Sequence, residues 1–486
     1  MGGTRRRIAT AAAACAVLGA SVLALTMPRA PIVAAIPSQA RAEGPGEEAE
    51  EEEEVSLSRL EALAEAEAEG TLGRVGSVAR HPSAGWAGAR VVHPRHDDWE
   101  PAVAADPREP WVYVAVTRFG APVCGRCPQS AIMIERSNDG GKTWSKARPV
   151  CRCVGTRWQA DPILEVARAT GSVYALWLNG YNTVFSRSDD HGRTWSAPVS
   201  TKGQVAWNDK PALAVSGNGN RVYVSWNGPS GGDLWIARSR DGGRTWEQHK
   251  VTESDRYYFA YNGATAAGGI VAFSQSSLTY SGPGGKPAGP VLQHAIVSQD
   301  GGDTWTNVVV DSVRIGVPCT AVGCTSDYYT GHSSIAIGRD GTMTFVYDGA
   351  ARPGKFQRVW TKTSTDGGLT WSDRIRLSSP TEQAGFPMMI ARGGLTRMWY
   401  MQTRGRDLDA WNVWYRESID AGTTWTDRAR LSDVTSGFDY VTRKGFDEPY
   451  GDYGEIAVTN TGATFAVWGE GKSYLGPGGV WFNRQT

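Results

Sequence analysis

Six stretches of the chain set aromatic rings beside carboxylates and basic side chains: Asp97, Asp98, Trp99 and Glu100; Arg157, Trp158, Gln159 and Asp161; Trp207, Asn208, Asp209 and Lys210; Arg256, Tyr257, Tyr258, Tyr261 and Asn262; Asp327, Tyr328, Tyr329 and His332; and Arg443, Asp447, Glu448, Tyr450, Asp452, Tyr453 and Glu455. Flat rings stack on sugar C–H groups, while guanidinium and carboxylate groups give paired hydrogen bonds to hydroxyls or to a carboxylate. The chemistry these residue types suit is therefore carbohydrate recognition. The densest stretch, Gly451-Asp452-Tyr453-Gly454-Glu455, holds a phenol and two acids. In an extended strand Tyr453 and Glu455 fall on one side.

The elements that must position these residues are announced by six octapeptides of the form Ser-x-Asp-x-Gly-x-Thr-Trp. They run from Ser137 to Trp144, Ser188 to Trp195, Ser239 to Trp246, Ser298 to Trp305, Ser364 to Trp371 and Ser418 to Trp425, with their Asp residues 51, 51, 59, 66 and 54 positions apart. A period of this size marks an array of small β-sheets. Within each copy the Asp carboxylate can accept the amides that follow it, the Gly can take positive φ, and the Trp begins a returning strand. Each octapeptide reads as a hairpin corner.

Between the corners the chain repeats a three-strand phrase of alternating character, as in DPILEVA, GSVYALWLN and NTVFSRS. A seventh phrase, GEIAVTN, ATFAVWGEG and GGVWFNRQT, ends the chain without an octapeptide and without a fourth strand. An open edge needs a partner, and Ala89 to Pro94 (ARVVHP) is the natural donor. The fold class predicted is all-β: a β-propeller of seven blades, six being the alternative, closed by its N- and C-terminal strands.

The octapeptides resemble the Asp-boxes, or BNR repeats, of the sialidase superfamily, and the resemblance spans about residues 86 to 486. It implies a propeller with the boxes on the face away from the ligand, which enters at the mouth of the central channel. It also implies an arginine triad for the substrate carboxylate, a Tyr nucleophile assisted by Glu, and an Asp acid/base. On these positions Tyr453 becomes the nucleophile with Glu455 or Glu448 as its base. Arg157, Arg256 and Arg443 form the basic set, and Trp99, Trp158, Trp207, Asp161 and Asp209 complete the substrate contacts. The chain departs from the pattern in two places: Trp99-Glu100-Pro101 replaces the first-blade Arg-Ile-Pro, and no Asp follows Arg118 between Phe119 and Ser130. A seven-blade count would itself depart from the typical six. The implied activity is exo-α-sialidase or a related glycoside hydrolysis; the alternative is a non-catalytic propeller that binds glycan or protein, with convergence of the arginines on Tyr453 the discriminating feature.

Residues 1 to 42 read as a cleaved signal peptide, with Arg5 to Arg7 ahead of an uncharged stretch from Ile8 to Met27, so the expected destination is extracellular. Residues 43 to 85 read as an acidic, disordered linker, since twelve Glu and one Arg fall between 43 and 70. Beyond residue 70 six more basic than acidic side chains are spread along the chain, with no basic stripe for nucleic acid. After signal cleavage no membrane contact is expected, and the propeller is expected to be a monomer. Cys124, Cys127, Cys151 and Cys153 could provide four zinc thiolates, but disulfides suit an exported chain, with cross-pairing between the CGRC and CRC clusters plausible and Cys319 closing a local loop with Cys324. No phosphate loop, HExxH motif or nucleophile elbow is present. No cofactor or metal is expected, although Asp97-Asp98 or Asp447-Glu448 could contribute oxygens to calcium.

Overall fold

A computed structural model describes residues 58–70, 82–120, 128–156, 158–205, 208–228, 232–254, 256–280, 286–321, 323–434 and 437–486. The segment expected to be a signal peptide, Arg157, Trp207, Cys124 and Cys127 lie outside these residues. The described strands form seven antiparallel sheets. Blade one runs Asp97–Ala105, Val112–Phe119, Ser130–Ser137 and Arg148–Pro149, and blades two to six repeat this order. Blade seven is built from Glu455–Val458, Thr464–Gly471 and Gly478–Arg484, and its outer strand is Arg90–Val91, paired antiparallel with Gly478–Arg484. The seven-blade count and the closure by both termini are as expected from the sequence.

Each Asp-box is a closed hydrogen-bond circuit. In the box of blade five, Ser364 Oγ donates to Asp366 and accepts the Gly368 amide, while Asp366 accepts the amides of Leu369 and Thr370 and the Thr370 hydroxyl. The Thr370 hydroxyl and amide, then Ser364, hold the Asp366 carboxyl down at about 2. The circuit fixes the turn in a conformation that puts the box Gly and Trp against the preceding blade. Trp246 of blade three meets Phe185 of blade two edge-on at 5.2 Å, and Trp144 of blade one meets Phe465 and Phe482 of blade seven at 5.7 and 5.6 Å.

Two disulfides lie among the described residues. Cys319–Cys324 closes the local loop as expected. Cys151 pairs with Cys153 rather than with the CGRC cluster, which corrects the cross-pairing read from sequence. Their Cα atoms are 5.2 Å apart, inside the span a disulfide bridges, so the bond closes without a distant partner. Among the described residues no helix is long and apolar enough to cross a membrane.

Blade seven also buries Glu470, which is 2% exposed and accepts a 2.7 Å bond from Trp468 Nε1. Burial raises its carboxyl from 4.5 to about 8. An acid raised in this way stabilises the fold fully below its unfolded value and loses that contribution as pH climbs through the folded one. Glu470→Gln keeps an acceptor for Trp468 and cannot ionise. Its melting temperature should exceed that of the parent clearly at about pH 9 and by little at about pH 4.5, the difference corresponding to about 4 kcal/mol; equal gains at both pH values would refute the assignment.

Candidate functional site

The central channel is walled by the first strands of all seven blades and contains a cavity of about 150 Å³. At its mouth the same local device recurs. In blades one, two, three and six the first strand has a proline preceded by a non-glycine residue of positive φ: Glu100 (49°), Asp161 (55°), Lys210 (47°) and Phe386 (56°). The pairing register shifts across each of these steps. They are β-bulges on edge strands, where proline gives up no ladder hydrogen bond. Left-handed backbone costs about 1 kcal/mol at each such residue. Strain of this kind persists where the surrounding structure enforces it, and it clusters at working sites. In blade four a bulge between Ala260 and Asn262 holds Tyr261, which lines the channel cavity.

The bulged side chains of blades two and three, Asp161 and Lys210, meet Tyr453 of blade seven, and that of blade one, Glu100, meets Asp161. Glu100 Oε2 accepts the Asp161 amide at 3.0 Å and the Thr117 hydroxyl at 3.2 Å. The Tyr453 hydroxyl donates to Asp161 Oδ2 at 3.3 Å. Lys210 Nζ lies 3.0 Å from Asp452 Oδ2 and 5.3 Å from the centre of the Tyr453 ring. Gly451, at φ 87°, lets this loop approach blade one, since a Cβ there would come within 2.8 Å of the Glu100 amide nitrogen.

Burial, and then the Glu100 carboxyl beside it, raise Asp161 well above the usual carboxylate range; burial and Asp452 raise Glu100. Two adjacent buried carboxylates cannot both ionise cheaply, so Glu100 and Asp161 titrate as a coupled pair. Burial pushes the Lys210 ammonium down, but Asp452, Tyr453, Asp161 and Asp209 around it raise it well above its ordinary value. Burial and Asp161 likewise raise the Tyr453 phenol, so it is neutral and needs a base to become a nucleophile.

The other residues singled out from sequence are distributed differently. Glu455 accepts the Val103 amide at 2.5 Å and lines the channel cavity with Glu165; burial, then Glu165, raise it well above the carboxylate range. Glu448 accepts the Tyr329 hydroxyl at 2.6 Å and is raised by burial to about 7. Arg256 donates to the Ser277 hydroxyl and carbonyl and to the Pro290 carbonyl, all at 2.7 Å. Arg443 is exposed on the loop before Glu448–Pro449. Trp158 is buried edge-on against Tyr181 at 5.2 Å, and Trp99 is covered by Arg59. Asp209 stands beside Lys210 and is raised by burial. Arg118 is 4% exposed and locked on Asp98 by bonds of 2.6 and 2.9 Å, with His93 bridging Asp98 to Glu135. Asp97 accepts the Tyr450 hydroxyl, so both acids considered for calcium in this loop are engaged by protein groups.

Described Arg256 and Arg443 therefore do not join Tyr453, whose neighbouring cation is Lys210. The sequence places Lys210 and Glu100 among the sugar-recognising stretches without giving either a catalytic or substrate-binding role. The signal that could have found them is the residue-before-proline step repeated at the starts of blades one, two and three.

A family model described as a BNR repeat-like domain matches residues 108–281. A sialidase of Bacteroides fragilis is 25% identical over 284 residues, half of this chain and 48% of the relative. The chain is a sialidase-like BNR-repeat propeller. It spans about half the length of the curated relative it matches. Solved structures similar to this sialidase-like propeller include a Hadza microbial sialidase, at 16% identity and a TM-score of 0.44 over 77% of this chain and 76% of the other. An ulvan lyase, a polysaccharide lyase, aligns at 10% identity and a TM-score of 0.49 over 82% of this chain and 95% of the other.

Proposed function

We propose that this propeller is an exported glycoside hydrolase that acts on carbohydrate at the channel mouth, with Tyr453 as nucleophile and Asp161 as the base that takes its proton. The observation that carries this reading is the Tyr453–Asp161 hydrogen bond, set between Lys210 and a second carboxyl, Glu100. A neutral phenol attacks an anomeric carbon without presenting charge to an anionic sugar, and a base within hydrogen-bond reach completes the pair. With the pair's proton on Glu100, Asp161 is ionised and takes the Tyr453 proton, while Glu100 gives its own to the departing sugar oxygen. Lys210 is the cation available to a substrate carboxylate. The curated relative named a sialidase makes a sialoside the first substrate to try.

A non-catalytic glycan-binding role has its own support in the arginines. Arg118 is neutralised by Asp98, and Arg256 is spent on main-chain carbonyls and Ser277. A gripping triad would need such groups turned toward the ligand. The two readings separate in one assay: release of 4-methylumbelliferone from a sialoside and from neutral glycosides by the purified protein and by Tyr453→Phe. The hydrolase reading expects turnover on at least one substrate and at least a hundredfold loss in Tyr453→Phe. Absence of turnover on every glycoside would overturn it in favour of binding, to be followed on a glycan array.

A further inference from the structure

The segment read from sequence as a solvated spacer contains a helix at residues 58–69, and its Arg59 is 2% exposed. The Arg59 guanidinium lies 3.5 Å above the Trp99 ring, with the rings of Phe119, Tyr474 and Tyr450 at 5.0, 5.1 and 5.4 Å. Its Nη1 donates to the Tyr450 hydroxyl at 2.9 Å, and that hydroxyl donates to Asp97 Oδ1 at 2.5 Å. Asp97 is fully buried, and its Oδ2 has no hydrogen-bond partner among the described residues. Trp99 and Phe119 belong to blade one, Tyr450 and Tyr474 to blade seven, so the four rings form a cage across the closing seam with an acid at its floor. Four π faces and a buried carboxylate attract a planar cation and give no reward to a neutral side chain.

Few apolar side chains besides the stem of Arg59 seat the described helix. Leu60 and Leu63 lie against Gly120, where an added Cβ would meet them at 3.3 and 2.9 Å. Ala66 is its other buried residue, while Glu61, Glu65, Glu67 and Glu69 are exposed. A helix of this length has little stability of its own in water. Its place on the propeller therefore rests on Arg59, Leu60, Leu63 and Ala66.

We propose that this cage is a recognition site for the arginine of a partner peptide, with apolar residues one and four positions after it, and that Arg59, Leu60 and Leu63 occupy it in cis as an internal ligand. The proposal is independent of catalysis at Tyr453. Its test is fluorescence anisotropy of a labelled peptide with the sequence of residues 56–70, added to the full chain and to the full-chain variant Arg59→Ala, Leu60→Ser, Leu63→Ser, which leaves every cage residue in place. Saturable binding to the variant is expected, at least tenfold tighter than to the parent, where the tethered copy competes. The same peptide with citrulline for arginine is expected to bind at least tenfold more weakly. Equal binding to variant and parent, no binding to the variant, or equal binding of the citrulline peptide would each overturn the proposal. Should the variant not fold, hydrogen exchange on the parent decides: millimolar N-acetylarginine methylamide is expected to speed exchange of the amides of residues 58–69, and no change overturns the assignment.

Discussion

Asp161→Asn is expected to lower glycoside turnover by about three orders of magnitude while making the protein more stable. Asparagine retains an oxygen for the Tyr453 hydroxyl but cannot take its proton, and a positioned acid or base contributes about 10²–10⁴ in rate. The gain in stability follows from the company Asp161 keeps: it is buried beside Glu100 and Asp209, with Lys210 as the nearby cation. Because its folded value is raised, the parent is fully stabilised only below the unfolded value of 3.8 and loses stability as pH rises. The advantage of the variant should thus be small near pH 4 and grow as pH rises toward about 8. In the parent, the acid limb of kcat/KM should lie above the ordinary carboxylate range, reporting the Glu100–Asp161 pair rather than one residue. Thermal melts and a pH–rate profile of both proteins check all three. A variant that gains stability and keeps its turnover would reduce Asp161 to a structural role and leave Tyr453 without a base.

That coupling explains why the scaffold was legible in the sequence while the centre of the site was only partly so. The Asp-boxes and the terminal strand obey local rules: a turn needs its carboxylate and glycine, and an unpaired edge needs a partner, so both can be read from spacing. Tyr453 and Asp161 could each be picked out as residue types, but their hydrogen bond spans 292 positions and depends on a bulge at Asp161. Positive φ before proline runs against the usual preference of that position, so alternation alone pairs Tyr453 with Glu455. Arg59 is the converse case. Composition places it in a glutamate-rich stretch that should stay in water, and only the four distant rings make its burial favourable.

Gly243→Ala is expected to destabilise the propeller by about 3–4 kcal/mol, although the box that contains it is far in sequence from every candidate site residue of blade seven. Two effects add. Gly243 has φ 93°, which an alanine adopts only with strain. The new methyl would also lie 2.0 Å from Phe185 Cε1, a side chain 2% exposed in the core shared by blades two and three. Gly140→Ala separates the effects: its φ is 73°, and nothing lies within 4 Å of the added Cβ, so only the backbone term of about 1 kcal/mol should appear. Urea denaturation of the two variants measures the difference, and equal costs would mean that box glycines serve the turn alone. A large difference has a wider meaning. Gly141, Gly302, Gly368 and Gly422 face Phe465, Tyr223, Val297 and Thr344 of the preceding blade in the same manner. Each box then acts as the contact by which one blade is seated on the last. Blade seven, which has no box, is seated instead by the strand Arg90–Val91 and by the box of blade one, whose Trp144 packs on Phe465 and Phe482. The first box and the terminal strand thus close the same seam from two sides, and the register of that seam sets the distance at which Tyr453 of blade seven meets Asp161 of blade two.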